Sequence, residues 1–474
     1  MGTDRPSSWV AIDQLPDEIL LEIFSFHMAL SDGGFEDAWH TLVHVCKRWR
    51  YLVFSSPRRL DLRLLCMNLD GTLTKSLDIW PELPIVIHVY YGKFGQLPSV
   101  TDVISVVKRN DRVSKIHIEN APDTLLKEIA AISEPFPALI ELQLSSHDTD
   151  PPILPDSFLG GCVPHLQSIN LWGIPFPAIG KLLSSTRDLV TVYLGSIPPS
   201  GYISPEEMVN ILSTLTRLQS LHLTFFEIPQ YLTHGTSQRP SVLTGVILPT
   251  LTTFSFSGDR SYLEEIVSRI DAPLDHITVT LSDQVVNIPL LRDFIGRTKV
   301  LNAPYRAGTF FSHCNARISL FRRNEDVDLK VLDLWILCPV LGPDSHLSSL
   351  ARAWSSFLPP LPSLEQLGIY DSGYLPLGWQ YGVENIQWMD LLRPFMTVKD
   401  LVLDEPFVLS ITPALQELVG ERVTEVLPEL RTIFLEGFES PGPVPEGIRK
   451  FIAARELFGR PVTVHYRETK QERY

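Results

Sequence analysis

Cysteine is scarce in this chain: five residues in 474, Cys46, Cys66, Cys162, Cys314 and Cys338. They contain no CxxC pair and no Cys/His spacing that reads as zinc, which excludes a disulfide framework and a structural zinc site. Basic charge is also short. Forty Lys and Arg stand against fifty-five Asp and Glu, a net charge of −15 with neutral histidine. A general nucleic-acid binder needs net or clustered positive charge, so this balance argues against one. No apolar run approaches the roughly 20 residues of a membrane span. The first residues lack a basic start followed by an apolar core, so no secretory signal is visible. Pro6 stands where myristoylation of Gly2 would require Ser or Thr. There is no GxGxxG, P-loop, HExxH or GxSxG pattern. Together these absences point to a protein of a reducing compartment, cytoplasmic or nuclear, with no membrane, nucleic-acid, metal or cofactor role and no catalytic apparatus.

What the chain has is leucine and proline, thirty-eight of the latter. That combination suggests short apolar elements that are often interrupted. A polar tail, residues 1–8, precedes a distinct block at 9–60. Within it, Pro16 suits a first helical position, and Asp17 and Glu18 favour the start of a helix electrostatically. Leu15, Ile19 and Ile23 recur every four residues, with Leu20 and Phe24 beside them, giving a wide apolar face. The segment SDGGFED around Gly33 and Gly34 predicts a loop. A second stretch places Trp39, Leu42, Val43, Cys46, Trp49 and Val53 on one helical face. So small a unit cannot bury two apolar faces internally, and an uncovered face favours a partner.

The residues LPDEILLEIF, VCKRWRYLV and SSPRRLDL resemble an F-box: Leu15-Pro16 at the start, Ile19 and Ile23 on the first helix, Cys46 and Trp49 on a later one. The loop at Gly33–Gly34 makes the central spacing longer than is usual in that family. The resemblance covers about 45 residues and implies binding of a Skp-type adaptor through Leu15, Pro16, Ile19, Ile23 and Trp49.

After a linking segment at 61–110, taken as an atypical first unit, a repeat fills residues 111–467. Apolar residues recur at i, i+3 and i+5 in eleven triplets, from Val113/Ile116/Ile118 through Leu251/Phe254/Phe256 and Leu329/Leu332/Leu334 to Leu430/Ile433/Leu435. Steps run from 23 to 35 residues, except for one of 55 between Leu274 and Leu329. That gap predicts a degenerate unit near Asn302 to Leu320. The last two positions of each triplet alternate like a one-face-buried strand. Helix-like segments lie between them; SPEEMVNILSTL starts with Ser204 as N-cap and Pro205 at the first helical position. The expected fold is therefore α/β: a small all-α block followed by an irregular leucine-rich-repeat-like solenoid with a parallel sheet, VTVHY at 462–466 as a closing strand, and a polar tail at 468–474.

Several residues permit both a bland and a functional reading. His313 beside Cys314 points the opposite way in an extended chain, poorly placed for proton transfer. Asp148 and Asp150 read as a solvated turn before a metal loop. Lys47, Arg48, Arg50, Arg58 and Arg59 form either a solvated helix face or a contact for an acidic partner. On the strands, Trp172, Tyr193, His222, Trp335 and Tyr370 alternate with core positions. They line an ordinary solvated face or a recognition surface whose anchors they would be.

An F-box followed by repeats is similar to the substrate receptors of Skp–cullin–F-box ubiquitin ligases, and the proline-rich, irregular repeats are similar to F-box proteins of mushroom-forming fungi. The resemblance implies a non-catalytic subunit: the adaptor and, through it, a cullin at one end, and a protein substrate of unknown identity on the array. The alternative is an adaptor-bound scaffold that does not direct ubiquitination.

Overall fold

The computed structural model describes residues 12–30, 38–66, 82–92, 97–226, 245–281, 289–324, 327–337, 343–372, 384–438 and 442–467. The Gly33–Gly34 loop, Cys338 and both polar tails lie outside the described residues. The chain divides into two compact units, Met1–Leu189 and Val190–Tyr474.

The first unit opens with three helices, α1 (Asp17–Leu30), α2 (Ala38–Val45) and α3 (Lys47–Ser55). Their core is Leu20, Phe24, Trp39, Leu42, Val43, Leu52 and Val53, all buried. Helix α1 runs on to Leu30. The second helical stretch departs from expectation. The stretch from Trp39 to Val53 is not one helix, because Cys46 adopts an extended conformation (φ −155°, ψ 170°) and its Sγ accepts from the Trp49 N–H at 3.4 Å. Cys46 therefore caps α3 instead of packing as a hydrophobe in mid-helix. The Trp39 indole N–H donates to the Arg63 carbonyl at 3.0 Å and ties the helices to the strand that follows.

Strands β1 (Leu64–Cys66), β2 (Ile85–Tyr90), β3 (Val113–Glu119), β4 (Glu141–Ser145) and β5 (Ser168–Trp172) then lie side by side in chain order, all parallel. Helices α4 (Val100–Val107), α5 (Asp123–Ala130) and α6 (Ile179–Ser184) alternate with them.

The second unit continues the alternation with β6 (Thr191–Ile197), α7 (Pro205–Leu212), β7 (Ser220–Phe225), a short β8 (Val246–Ile247), β9 (Thr253–Gly258), α8 (Arg260–Arg269), a short β10 (Ile270–Asp271), β11 (His276–Leu281) and α9 (Pro289–Arg297). Next come β12 (Arg306–Phe311), β13 (Asn315–Asn324), β14 (Val327–Leu337), α10 (Pro343–Phe357), β15 (Gln366–Asp371), α11 (Asn385–Leu392) and β16 (Asp400–Asp404). The unit closes with α12 (Glu405–Gln416), β17 (Thr432–Glu436), α13 (Glu446–Leu457) and β18 (Thr463–Arg467). The expected start of α7 is present: the Ser204 hydroxyl accepts from the Glu207 N–H at 3.2 Å, ahead of Pro205. Helix α12 begins at Glu405 and carries Pro413 inside it.

Every position of the eleven triplets is buried except Leu329, which is 46% exposed. The exception has a cause. The long gap before it holds no degenerate repeat but an antiparallel meander, in which β13 pairs antiparallel with both β12 and β14. The spatial order is β11-β14-β13-β12-β15, with β14 parallel to β11 and β12 parallel to β15. Leu329 sits on the protruding end of the β13–β14 hairpin, paired with Arg322. The turn between β12 and β13 is held by Ser312, whose hydroxyl accepts from the Cys314 and Asn315 amides. His313 and Cys314 are turn residues.

Among the described residues, neighbouring repeats are joined by backbone hydrogen bonds at the strand entries. At several strand entries one carbonyl accepts two successive N–H groups from the next repeat, as Gln219 does from Thr252 and Thr253, and Lys399 from Arg431 and Thr432. The hydroxyls of Thr250 and Thr397 add bonds to the carbonyls of Leu218 and Leu364, both at 2.8 Å. These bonds satisfy backbone groups at the turns, where they would otherwise be left unpaired.

Candidate functional site

Candidate residues lie on the N-terminal helices and, within each unit, on the strand face away from the repeat helices. On α1, Leu20 and Phe24 turn inward while Ile19 and Ile23 are 47% and 40% exposed. Phe26, which the sequence pattern did not single out, is 67% exposed. Positions 19, 23 and 26 follow the i, i+4, i+7 rule for a single helix face. Leu15 is half-buried and Pro16 exposed, at the start of the same helix. Trp49 is half-buried and packs on Phe24, ring centroids 4.7 Å apart.

The basic cluster beside this stripe knits the helices together. Arg48 donates to Asp17 at 2.5 Å and to the Leu15 carbonyl at 2.6 Å. Arg50 donates to the Val43 carbonyl at 2.9 Å, and Arg59 pairs with Glu22 at 2.5 Å. Such exposed pairs are worth at most about 1 kcal/mol each, so they orient the helices more than they stabilise them.

On the strands of the first unit, Trp172 ends β5, half-buried. At the far end of the neighbouring strand β4, opposite Ser168, Glu141 pairs with Lys115 and, at 3.2 Å, with His117. Burial raises the Glu141 carboxyl, but Lys115 and His117 outweigh it and hold the group below its usual value. Burial lowers His117, against the pull of Glu141. Asp148, once a candidate metal ligand, accepts from the Asp123 amide at 3.2 Å. Among the described residues no group of three or more His, Cys, Asp or Glu is placed to hold a metal ion. No described helix is long and apolar enough to cross a membrane.

In the second unit Tyr193 and His222 lie on adjacent strands with ring centroids 5.2 Å apart, both half-buried. The Ser220 hydroxyl lies 2.8 Å from the His222 ring. Burial, and then His276, lower the pKa of His222. Trp335 is half-buried on β14 and donates its indole N–H to Asp333 at 3.1 Å.

Tyr370 departs from expectation. It alternates with the core residues Leu367 and Ile369 and so lies on the opposite face, yet only 3% of it is exposed. The reason is local. Phe310 stacks on it at 5.1 Å, Val402 flanks it from β16, and the Arg306 guanidinium donates to its hydroxyl at 2.9 Å. The meander therefore builds a second, small core on this face, and Tyr370 is part of that packing instead of a free anchor. Asp333, Arg317, Arg306 and Phe310 complete it and were not picked out as site residues from sequence. The signal available was Gly308 and Gly368, two glycines in strand interiors, which mark a close approach to the backbone.

Residues 12–63 match the family described as F-box-like. This segment is an F-box-like domain. The match spans α1 to α3 and the chain that follows as far as Arg63, and includes Ile19, Ile23, Phe26 and Trp49. No curated protein matches the chain. Among solved structures, the yeast complex of Rad7 and Elc1 is similar at 13% identity over 90% of this chain and 91% of that one, with a TM-score of 0.26. The leucine-rich repeat-containing protein LegL7 from Legionella pneumophila is similar at 12% identity over 84% and 98%, with a TM-score of 0.27. At these scores neither superposition defines the fold. The α/β class follows from the parallel strands and alternating helices themselves, behind an F-box-like domain of short helices.

Proposed function

We propose that the protein is the substrate receptor of a Skp–cullin–F-box ubiquitin ligase, acting in the cytoplasm or nucleus. The F-box-like domain docks on a Skp-type adaptor through Leu15, Pro16, Ile19, Ile23 and Trp49, with Phe26 extending the stripe, and the adaptor carries the cullin. The strands hold a protein substrate, with half-buried aromatic positions at Trp172 in the first unit and at Tyr193, His222 and Trp335 in the second. No residue of the chain performs chemistry. The protein acts by raising the effective concentration of substrate lysines near a charged ubiquitin carrier.

The observation that supports this most directly is the apolar stripe at Ile19, Ile23 and Phe26 within the F-box-like match. A helix that has already buried Leu20 and Phe24 gains on the order of 1 kcal/mol for each further large apolar side chain it covers against a partner. The test is capture of a Skp-type adaptor by the full chain and by the Ile19→Asp/Ile23→Asp variant. Loss in the variant is expected, because unpaired charge in an apolar interface is costly; undiminished capture overturns the assignment. Ubiquitin transfer to a co-purified partner in a reconstituted ligase then separates a receptor from a scaffold.

A further inference from the structure

The meander holds a guanidinium that the proposed function leaves unused. Arg317 on β13 is only 9% exposed. Its Nε–H lies 2.6 Å from Asp333 Oδ1 and 3.1 Å from the Ser319 hydroxyl. The Trp335 ring covers one side of the guanidinium at 4.4 Å, and the Phe310 ring lies 5.0 Å from it. Asp333 in turn accepts from the Ser319 hydroxyl at 2.7 Å and from the Trp335 indole at 3.1 Å, with Lys330 Nζ at 3.5 Å. The carboxylate is thus saturated with donors and fixes the arginine. A guanidinium carries five N–H donors. Only the Nε–H of Arg317 has a hydrogen-bond partner among the described residues; the four on the two Nη groups have none. The two rings lie within cation–π distance of the group and take none of its Nη hydrogens, which are left to receive a ligand.

We propose that this edge receives the carboxylate of an Asp or Glu side chain from the protein partner, with Trp335 covering an apolar neighbour of that residue. The proposal rests on the reading of the strand face as the part that holds a partner. Two parallel N–H groups match two carboxylate oxygens, the bidentate arrangement that makes such pairs strong. The local charge selects among anions. Arg317 and Lys330 against Asp333 leave one positive charge, which a carboxylate balances, whereas a dianionic phosphate would be brought up beside Asp333 in excess. Arg306 does not compete, since it is engaged by Asp328 at 2.9 Å and by the Tyr370 hydroxyl. Because the arginine is already immobilised, binding loses little side-chain entropy.

The test is selection of a random peptide library on the full chain, followed by affinity measurements. Enriched peptides are expected to share an acidic residue beside an apolar one. Arg317→Gln should weaken them about ten-fold or more, replacing the peptide's acid by Gln should do the same, and the two changes together should add little further. If R317Q melts early, the paired Arg317→Met/Asp333→Leu variant removes both charges at once and keeps the burial apolar. No enrichment, enriched peptides without an acid, or unchanged affinity in both variants overturns the proposal. Tighter binding when phosphoserine replaces the acid overturns the choice of carboxylate. Adaptor capture measured on the same preparations reports on the F-box-like domain alone. Its loss with peptide binding intact would sink the ligase reading and leave this site standing.

Discussion

The ring of Tyr370 lies over Gly368, two residues back on the same strand, so closely that a Cβ at position 368 would collide with three of its atoms. Phe310 does the same over Gly308 on the neighbouring strand, where a Cβ would stand 2.6 Å from a ring carbon. Each ring covers backbone that a glycine leaves bare, a known device for restoring a strand that carries glycine. Gly368→Ala should push the Tyr370 ring out of its stack on Phe310 and cost about 1–3 kcal/mol as an overpacking change. A lowered urea midpoint with an unchanged slope checks it.

The two faces of α1 should separate in a stability assay. Leu20 is fully buried, so Leu20→Ala should destabilise the first unit by about 2–5 kcal/mol. Ile19→Ser and Ile23→Ser should change its melting by no more than about 0.5 kcal/mol each while weakening adaptor capture. Equal destabilisation by all three would mean that the stripe is internal packing.

Arg455 is fully buried on α13 and donates to four carbonyls, those of Val423, Leu427, Pro428 and Leu430, at 3.0–3.3 Å. It organises the loop before β17 as a capping group would. Arg455→Ala leaves those acceptors without it and should cost about 3 kcal/mol or more. Arg455→Lys should rescue only part of the loss, because one ammonium cannot span four acceptors with a planar fork. Thermal melting of the full chain measures both.

Stability should fall on acidification. Burial lowers the pKa values of His117, His222 and His346 below the ordinary 6.5. The unfolded chain then binds a proton more readily than the folded one, so stability drops as the pH falls below 6.5 and levels off once it passes the folded values. Glu141, held below 4.5, acts in the same direction at lower pH, losing its contribution as it is protonated. The melting temperature at pH 5 should therefore lie below that at pH 7.5. His222→Gln should narrow the difference; Tyr193, Ser220 and His276 are the groups around it. An unchanged pH profile in that variant would remove His222 from the account.

Much of the fold was legible because the repeat writes its core in a fixed spacing. Leu142 and Leu144, or Ile433 and Leu435, could be assigned to the buried face of a strand from alternation alone. The first F-box-like helix was legible from the four-residue recurrence of Ile19 and Ile23, but not which side of its wide apolar face would be buried, since Leu20 lies only about 100° round from Ile19. The meander was not. Thr309, Arg317, Ser319 and Asp333 are buried polar residues that each have a hydrogen-bond partner on a neighbouring strand, and a reading tuned to parallel units has no way to pair them. Tyr370 was misplaced for a related reason. Alternation says which face a side chain takes, but only the neighbours Phe310 and Val402 decide whether that face is wet. Cys46 was misread because helical periodicity passes smoothly across a one-residue break.

The meander should also set where the second unit starts to fold. Its strands β12, β13 and β14 follow one another at short separation along the chain, so their pairing closes small loops. Each parallel pair on either side requires a whole crossover helix to be in place or accommodated first, and loop-closure entropy grows with that length. Local pairings form faster than distant ones, and a repeat array propagates from whichever unit forms first. Ordering in this unit should therefore begin in its interior and spread outward along both flanks, toward β11 on one side and β15 on the other, instead of zipping from an end. Amide protons of Ile318 and Leu320, in the strand bonded on both sides, should be protected earliest in a refolding experiment.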